Sequence, residues 1–351
     1  MSRKGSYLGS GLLSEKSKIR IRLITRNAND RFDRAFWKRK VQWAWNYRKT
    51  VMGADASACR VLFSEADGFP GLVVDRFEDV LVAETLSVGM ERLKPIIFPA
   101  LLEVLAEDGI AIRGLYERND ASTRSLEGLA QTAGWFAGVA EDAACSLDPI
   151  NPCQPEAAVF GPTTTQIMEN GVRYEVDFEN GQKTGFFLDQ KYNRRAVAQL
   201  AAGRRVLDCF THTGSFALNA AHGGAEYVNA VDISELAVAQ ARKNAQLNEL
   251  DGKMDFTAAN VFDLLPQLEA AHDRTYDFIV LDPPAFTKSR KTIDSAARGY
   301  KEINYRAMKL LPRGGYLATC SCSHFMDTER FRRVVSYAAQ DAGVQLRPIE
   351  E

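Results

Sequence analysis

The sequence predicts an α/β protein: a doubly wound parallel sheet preceded by a smaller α+β domain. Three observations predict it. From residue 204 onward, apolar runs near 205–210, 227–232, 254–259, 276–282, 315–321 and 344–348 alternate with helix-periodic stretches near 214–222, 234–248, 261–269, 296–311 and 327–341. That alternation is the signature of parallel strands joined by crossover helices, here six strands and five helices. The stretch 204–221, RRVLDCFTHTGSFALNAA, passes from the apolar Val206 and Leu207 through Asp208 and a turn with the single glycine Gly214 into a small-residue helix. It reads as the first strand, turn and helix of such a sheet. The third observation is composition: 46% apolar and 25% charged residues suit a globular protein with a large core.

Composition also excludes classes. No run approaches the roughly 18 apolar residues of a membrane span, and the N-terminus has basic residues without the apolar stretch of a secretory signal. Six cysteines, at 59, 145, 153, 209, 320 and 322, are too thinly spread for a disulfide framework. A cytoplasmic protein with no membrane partner is expected. The net charge of −1 conceals an asymmetry, because residues 1–50 hold 14 Lys and Arg against 3 Asp and Glu, while the rest hold 30 against 42. A basic arm on an acidic body suggests a polyanion as partner. The aromatics Phe32, Phe36, Trp37, Trp43, Trp45 and Tyr47 among those charges favour nucleic acid. Phe32, Phe36, Trp43 and Tyr47 fit one helical face and are expected to belong to the core.

Taken in order, the chain divides into 1–55, 56–160 and 161–351. The first part has a Gly/Ser turn, an alternating strand with Ile19, Ile21 and Leu23 on one face and Arg20 and Arg22 on the other, and a basic amphipathic helix over about 30–51. The second has strands at 59–63, 72–77 and 80–86, a helix over 91–105 and a strand near 112–116. Its polar stretch 118–129 reads either as a surface loop or as an anion site with Arg118 and Arg124 free. Pro149, Pro152, Pro155 and Pro162 mark 145–162 as a linker. A hairpin over 165–178, turning at Glu169-Asn170-Gly171, leads to GQKTGFFLDQKYNR at 181–194. In the last helix Asp327 is placed as N-cap, with Phe331, Val334, Val335, Ala338 and Ala339 on one face.

The first turn limits the ligand. A dinucleotide turn needs G-x-G-x-x-G, whereas His212, Thr213 and Ser215 flank Gly214 here and would crowd a diphosphate. The pattern D-x-F-x-x-x-G-x-F (208–216) resembles instead the first motif of class I methyltransferases, whose cofactor, S-adenosylmethionine, carries no phosphate. Asp232, at the end of the second strand and followed by Ile233, can accept from both ribose hydroxyls. Asn260 can meet the adenine amino edge, with Val261 against the ring. Asp208 has an alternative role in tying down loop amides, and His212 reads as a turn residue. His222 and His272 read as surface residues.

Two loops bear on the acceptor. The fourth strand ends in LDPPAF (281–286). In amino-group methyltransferases a related turn holds the target amino group and stacks on its ring, but Ala285 here separates Pro283 and Pro284 from Phe286. The fifth strand ends in CSCSH. A thiolate adding to carbon 6 of a pyrimidine activates carbon 5 toward a methyl sulfonium, and Cys322, at the strand's exit, suits that role better than the deeper Cys320. Both cysteines could equally be small buried hydrophobes. A Cys-x-Cys metal pair is not expected, since only 4 histidines are present and none is suitably spaced.

RVLFSEADGFPGLVVDRF (60–77), GQKTGFFLDQKYNRR (181–195), VLDCFTHTGSFALNAA (206–221), LDPPAFTKSRK (281–291), RGYKEINYRAMKLL (298–311) and ATCSCSHFM (318–326) together resemble the bacterial large-subunit ribosomal RNA methyltransferase I family. The resemblance implies an N-terminal PUA RNA-binding domain, here a partial segment over 1–55, a small central α+β domain, and a class I Rossmann-like methyltransferase domain forming 5-methylcytosine. It implies Cys322 as nucleophile and Asp282 as the fourth-strand acid. Gln190, Asn193, Asp208, Phe210, Thr211, Gly214, Asp232, Ile233, Asn260 and Val261 are expected at S-adenosylmethionine, with Pro283, Pro284 and Phe286 at the base. Family members continue beyond both ends of this chain, so truncation at both ends is expected. Methylation of a guanine amino group and RNA binding without catalysis remain alternatives. The methylated nucleotide and a homodimer stay open.

Overall fold

The computed structural model describes residues 5–137, 161–287 and 289–350. Cys145, Cys153 and most of the predicted linker at 145–162 lie outside the described residues. The chain forms two compact units, Met1–Glu169 with Tyr174–Leu188, and Asn170–Arg173 with Asp189–Glu351.

The first unit opens with an antiparallel pair, β1 (Ser10–Leu13) and β2 (Ile21–Thr25). The phase of β2 is the reverse of the predicted one. Ile21 and Leu23 are exposed, whereas Ile24 is buried and Arg22 turns inward onto Glu127 at 2.9 Å and Glu65 at 3.3 Å. Glu127 is itself buried, and a buried carboxylate needs a cation more than Ile21 needs cover. Since side chains alternate, that one pairing fixes both faces of the strand.

Helix α1 (Arg34–Met52) starts where the Asp33 carboxylate accepts from Phe36 N at 2.9 Å. The predicted face needs correcting at two of its four residues. Phe36 is buried and Phe32 packs against the core as expected, together with the buried Trp37, Val41, Ala44, Trp45 and Arg48, but Trp43 and Tyr47 are exposed. Burying the stripe with two indoles removes more apolar area than the stripe with one.

A five-stranded sheet follows in the order β3 (Ala58–Phe63), β4 (Leu72–Phe77), β5 (Val80–Thr85), β6 (Gly114–Asn119) and β7 (Thr132–Trp135). The one-turn helix α2 (Ser64–Asp67) lies between β3 and β4, and α3 (Val88–Glu107) crosses from β5 to its parallel neighbour β6. Strand β7 escapes sequence reading because TAGW is four residues long and contains a glycine. The 118–129 stretch is structural rather than an anion site. Arg118 donates to the carbonyls of Phe178 and Gly181 and pairs with Asp120. Arg124, 2% exposed, donates to the carbonyls of Thr85 and Ala130 and pairs with Glu91. The hairpin β8 (Thr164–Glu169) and β9 (Val172–Asp177) turns at Asn170-Gly171, both at positive φ, as a two-residue hairpin requires.

In the second unit, α4 (Lys191–Leu200) precedes a parallel sheet of five strands. These are β10 (Arg205–Cys209), β11 (Tyr227–Asp232), β12 (Met254–Ala258), β13 (Phe278–Leu281) and β14 (Tyr316–Thr319), joined by α5 (Ser215–His222), α6 (Glu235–Leu247), α7 (Val261–Ala270) and α8 (Ile293–Leu310). Helix α9 (Thr328–Ala342) follows, capped by Asp327 as predicted. The order is β12-β11-β10-β13-β14, so the winding reverses between β10 and β13. A crevice opens where it reverses, beyond the carboxyl ends of those two strands. All four residues of β13 are buried, as are Val206–Cys209 of β10, and that two-sided burial makes the central strands legible as apolar runs.

The predicted sixth strand at 344–348 is absent. After α9 closes at Gly343, in the left-handed region, Val344 N bonds back to Ala339 O, and 344–350 pair with no strand among the described residues. Only Val344 and Leu346 precede Arg347-Pro348, too little apolar surface to seat an edge strand, and the proline removes a donor.

Candidate active site

Asp208 lies at the end of β10, 1% exposed. Its Oδ2 accepts from Thr211 Oγ1 at 2.5 Å and from Ala217 N at 2.8 Å, which ties the turn to the first turn of α5. Its Oδ1 is buried with no hydrogen-bond partner among the described residues. Burial pushes the carboxyl up to about 7, with the charges of Asp282 and Asp232 adding to the shift and the two hydrogen bonds opposing it.

The intervening turn is strained. Phe210, His212 and Gly214 all have positive φ, at 66°, 51° and 86°. For a phenylalanine that conformation is an outlier held only by its surroundings, and such outliers concentrate where backbone amides are aimed at a ligand. Gly214 is obligatory in addition, since a Cβ there would lie 2.9 Å from Ala241 Cβ. The buried Arg194 of α4 donates to Ser215 Oγ at 3.3 Å, just past the turn.

At the end of β11, Asp232 accepts from His212 N and from Ser234 N, one on each oxygen and both at 2.9 Å. Each oxygen keeps a lone pair, so the carboxylate can still meet a diol. Ile233 beside it is 72% exposed. Burial lowers the His212 pKa against the pull of Asp232, in keeping with a turn residue.

Asn260 and Val261 also have places in the fold itself. Asn260 caps α7: its Oδ1 accepts from Phe262 N at 3.1 Å and its amide donates to Asp263. Val261 is 2% exposed and belongs to the core. The half-exposed ring at that strand end is Phe262, against Phe210 at 6.4 Å and Phe286 at 5.7 Å between centroids. Sequence reasoning missed it, although an exposed aromatic one residue past a helix start was a readable signal.

Gln190 and Asn193 come together with the acceptor loop. Asn193 donates to Gln190 Oε1 at 2.6 Å, and Gln190 Nε2 reaches Asp282 Oδ1 at 3.4 Å. In the loop after β13, Pro283 is buried and Pro284 exposed. The Phe286 ring packs on Tyr300 at 4.5 Å.

Past β14, Cys322 is exposed and its thiol donates to the carbonyl of Pro283 at 3.5 Å. Cys320, two residues deeper, has its thiol pushed well up by burial, then by the Asp282 and Asp208 carboxylates. Next to Cys322, the buried Ser323 shares a 2.9 Å hydrogen bond with Tyr300. Tyr300 thus touches both the Cys322 loop and the ring of Phe286, a pairing across 23 residues that no local pattern announces. His324 is exposed, its ring against Phe325.

These residues fit S-adenosylmethionine. A buried carboxylate oxygen without a partner suits a cationic group, the strained turn presents amides, and the Asp232 carboxylate suits a ribose. No diphosphate cradle is present among the described residues.

Comparison with known proteins agrees. A family profile described as S-adenosylmethionine-dependent methyltransferase matches residues 114–334. "Ribosomal RNA large subunit methyltransferase I" of Aliivibrio fischeri is 38% identical over 348 residues, covering 99% of this chain and 81% of that protein. The protein of the same name from Klebsiella pneumoniae is 36% identical, with the same coverage. A solved SAM-dependent methyltransferase structure from Streptococcus mutans shares the fold at TM-score 0.73 and 24% identity, over 95% of this chain and 78% of that one. A methyltransferase solved with SAH gives TM-score 0.74 at 24% identity, over 94% and 78%. This chain has a class I methyltransferase fold, uses S-adenosylmethionine, and belongs to the ribosomal RNA large subunit methyltransferase I family.

Proposed function

We propose that this protein methylates carbon 5 of a cytosine in large-subunit ribosomal RNA through a transient bond between Cys322 and carbon 6 of the base. The observation that carries the chemistry is the exposed Cys322 thiol, 3.5 Å from the Pro283 carbonyl, in the loop that begins with Asp282. Support for the substrate comes from the relatives' names.

The target base, single-stranded or flipped, enters between the 282–286 loop and the Cys322 loop. Asp282 holds its pairing edge at N3 or the exocyclic amino group, and Gln190 holds Asp282. Cys322 loses its proton to water and its thiolate adds to carbon 6, which turns carbon 5 into an enamine nucleophile. S-adenosylmethionine, which Asp208, Asp232 and the 210–214 turn would hold, supplies the electrophilic methyl group and leaves as S-adenosylhomocysteine when its methyl–sulfur bond breaks. Once the methyl is on carbon 5, that carbon's proton leaves to a base, the electron pair re-forms the 5,6 double bond, and Cys322 departs as thiolate. His324, two residues on, is a candidate for the base. A guanine amino acceptor finds no support, because the Phe286 ring that would stack on it is already packed on Tyr300.

The test is nucleoside mass spectrometry of ribosomal RNA after reaction, with 5-methylcytidine expected. RNA carrying 5-fluorocytidine should trap a covalent adduct with wild type and none with Cys322→Ala. An N2-methylguanosine product, or undiminished methylation by Cys322→Ala, overturns the reading.

A further inference from the structure

The basic helix α1 borders a cavity of about 480 Å3 that the methyl-transfer site does not use, lined by Phe36, Arg39, Lys40 and Trp43 together with the end of β2 and the loop after it. The four helical residues fall at i, i+3, i+4 and i+7, running from the buried Phe36 through the half-buried Lys40 to the exposed Arg39 and Trp43. Three features set the cavity apart. Trp43 is 61% exposed, although Trp37 and Trp45 of the same helix are at 0% and 1%. Arg39 lies 5.6 Å from the centroids of both Phe36 and Trp43, held between the two rings.

Lys40 is the third feature. Its ammonium sits between Phe36 at 5.8 Å and Phe69 at 5.6 Å and makes no direct ion pair among the described residues, Asp30 and Asp67 acting on it only at longer range. A partly buried cation with no carboxylate in direct contact is further stabilised by any anion that enters. The one carboxylate at the cavity, Asp30, is already engaged by Thr25 at 2.6 Å, Asn27 at 3.3 Å and Arg39 at 3.5 Å. An exposed indole beside two cations, within a 50-residue stretch of net charge +11, matches the needs of an unstacked nucleotide: a flat apolar face and an adjoining anion site.

We infer that this cavity docks one nucleotide of single-stranded RNA, with Trp43 stacking the base and Lys40 and Arg39 holding its phosphate. The inference rests on the ribosomal RNA reading and extends it to recognition by residues outside the transfer centre.

The experiment uses the full chain, a labelled single-stranded ribosomal RNA oligomer of about 12 nucleotides, the same sequence as a duplex, and S-adenosylmethionine titration as a check on folding. Trp43→Ala is expected to weaken single-stranded RNA binding and raise the KM for RNA about tenfold, with kcat and cofactor affinity unchanged. Trp43→Phe should restore most of the loss. Lys40→Gln with Arg39→Gln should flatten the dependence of log Kd on log salt by about 0.7 for each phosphate contact removed. If wild type binds and methylates RNA but these variants keep its affinity and salt slope, the docking site is overturned and the proposed function stands. Equal losses on single-stranded and duplex RNA overturn the stacking role. If wild type binds no ribosomal RNA, both fall.

Discussion

The Cys322 thiol donates to the carbonyl of Pro283 at 3.5 Å, which brings the loop after β14 against the loop after β13. The exposed Cys322 and the deeper Cys320 therefore stand at the same crevice in opposite settings. Thiolate character and access together set cysteine reactivity. Iodoacetamide at neutral pH is expected to label Cys322 at least about tenfold faster than Cys320, Cys209 or Cys59, read by peptide mass spectrometry. Faster labelling of Cys320 would exchange their roles.

Asp208 gives a pH signature. Its carboxyl is raised to about 7 in the fold against an ordinary 3.8, so between those values the folded state keeps a proton that the unfolded chain has lost. Stability from this group therefore falls as pH rises, by on the order of 4 kcal/mol across the window. Carboxylates such as Glu103 and Asp120, lowered by hydrogen bonds to Lys38 and Arg118, act in the opposite sense. The informative quantity is thus the difference between wild type and Asp208→Asn. That variant should gain stability relative to wild type from pH 4 to pH 7 in urea unfolding, and a constant difference would falsify the burial account. It should also bind S-adenosylmethionine at least about tenfold more weakly above pH 7, where wild type offers a charged acceptor.

The turn after β10 makes a backbone prediction. At Gly214 the φ of 86° and the 2.9 Å approach to Ala241 Cβ penalise any side chain. Gly214→Ala is expected to cost about 1–3 kcal/mol, seen as a lower Tm, and to reduce cofactor affinity because α5 and the turn must shift together. An unchanged affinity would mean that the turn amides do not contact the cofactor.

The limits of sequence reading follow the same physics. Strands β10 and β13 were readable because they are buried on both faces, and β11 because its buried Val228, Ala230 and Val231 keep it apolar around Asn229. The turn, Asp208 and Asp232 were readable because they are local to strand ends. The α1 face was ambiguous because its aromatics fit two stripes, and only the partners in α3 and β3 decide between them. Asn260, read as a ligand residue, was also legible as a helix cap. Arg118 ends on carbonyls 60 and 63 residues away, a distance across which sequence carries no pattern.

Arg124 tests that correction. Its guanidinium is buried against the Ala130 carbonyl and Glu91, so Arg124→Met leaves a carboxylate and carbonyls short of a donor. A cost of about 3–5 kcal/mol is expected, measured by urea unfolding, with RNA affinity unchanged at temperatures where the variant stays folded. Weakened RNA binding at wild-type stability would return Arg124 to the anion reading.

Tyr300 is argued to act through its neighbours rather than on substrate. Fully buried, it shares a hydrogen bond with Ser323, next to Cys322, and packs its ring on Phe286 in the 282–286 loop. It can therefore hold the nucleophile loop and the base-binding loop in one register. Tyr300→Phe keeps the ring stack and removes only the hydroxyl, at a cost of about 1 kcal/mol of stability. If the hydroxyl merely stabilised the fold, kcat would be unchanged once the protein is folded. If it positions Cys322, kcat should fall several-fold while S-adenosylmethionine affinity stays at the wild-type value, because the cofactor residues at β10 and β11 are untouched. A slower approach to the 5-fluorocytidine adduct should accompany the fall, since that step reports Cys322 addition directly. Wild-type adduct kinetics would place Tyr300 outside the catalytic arrangement.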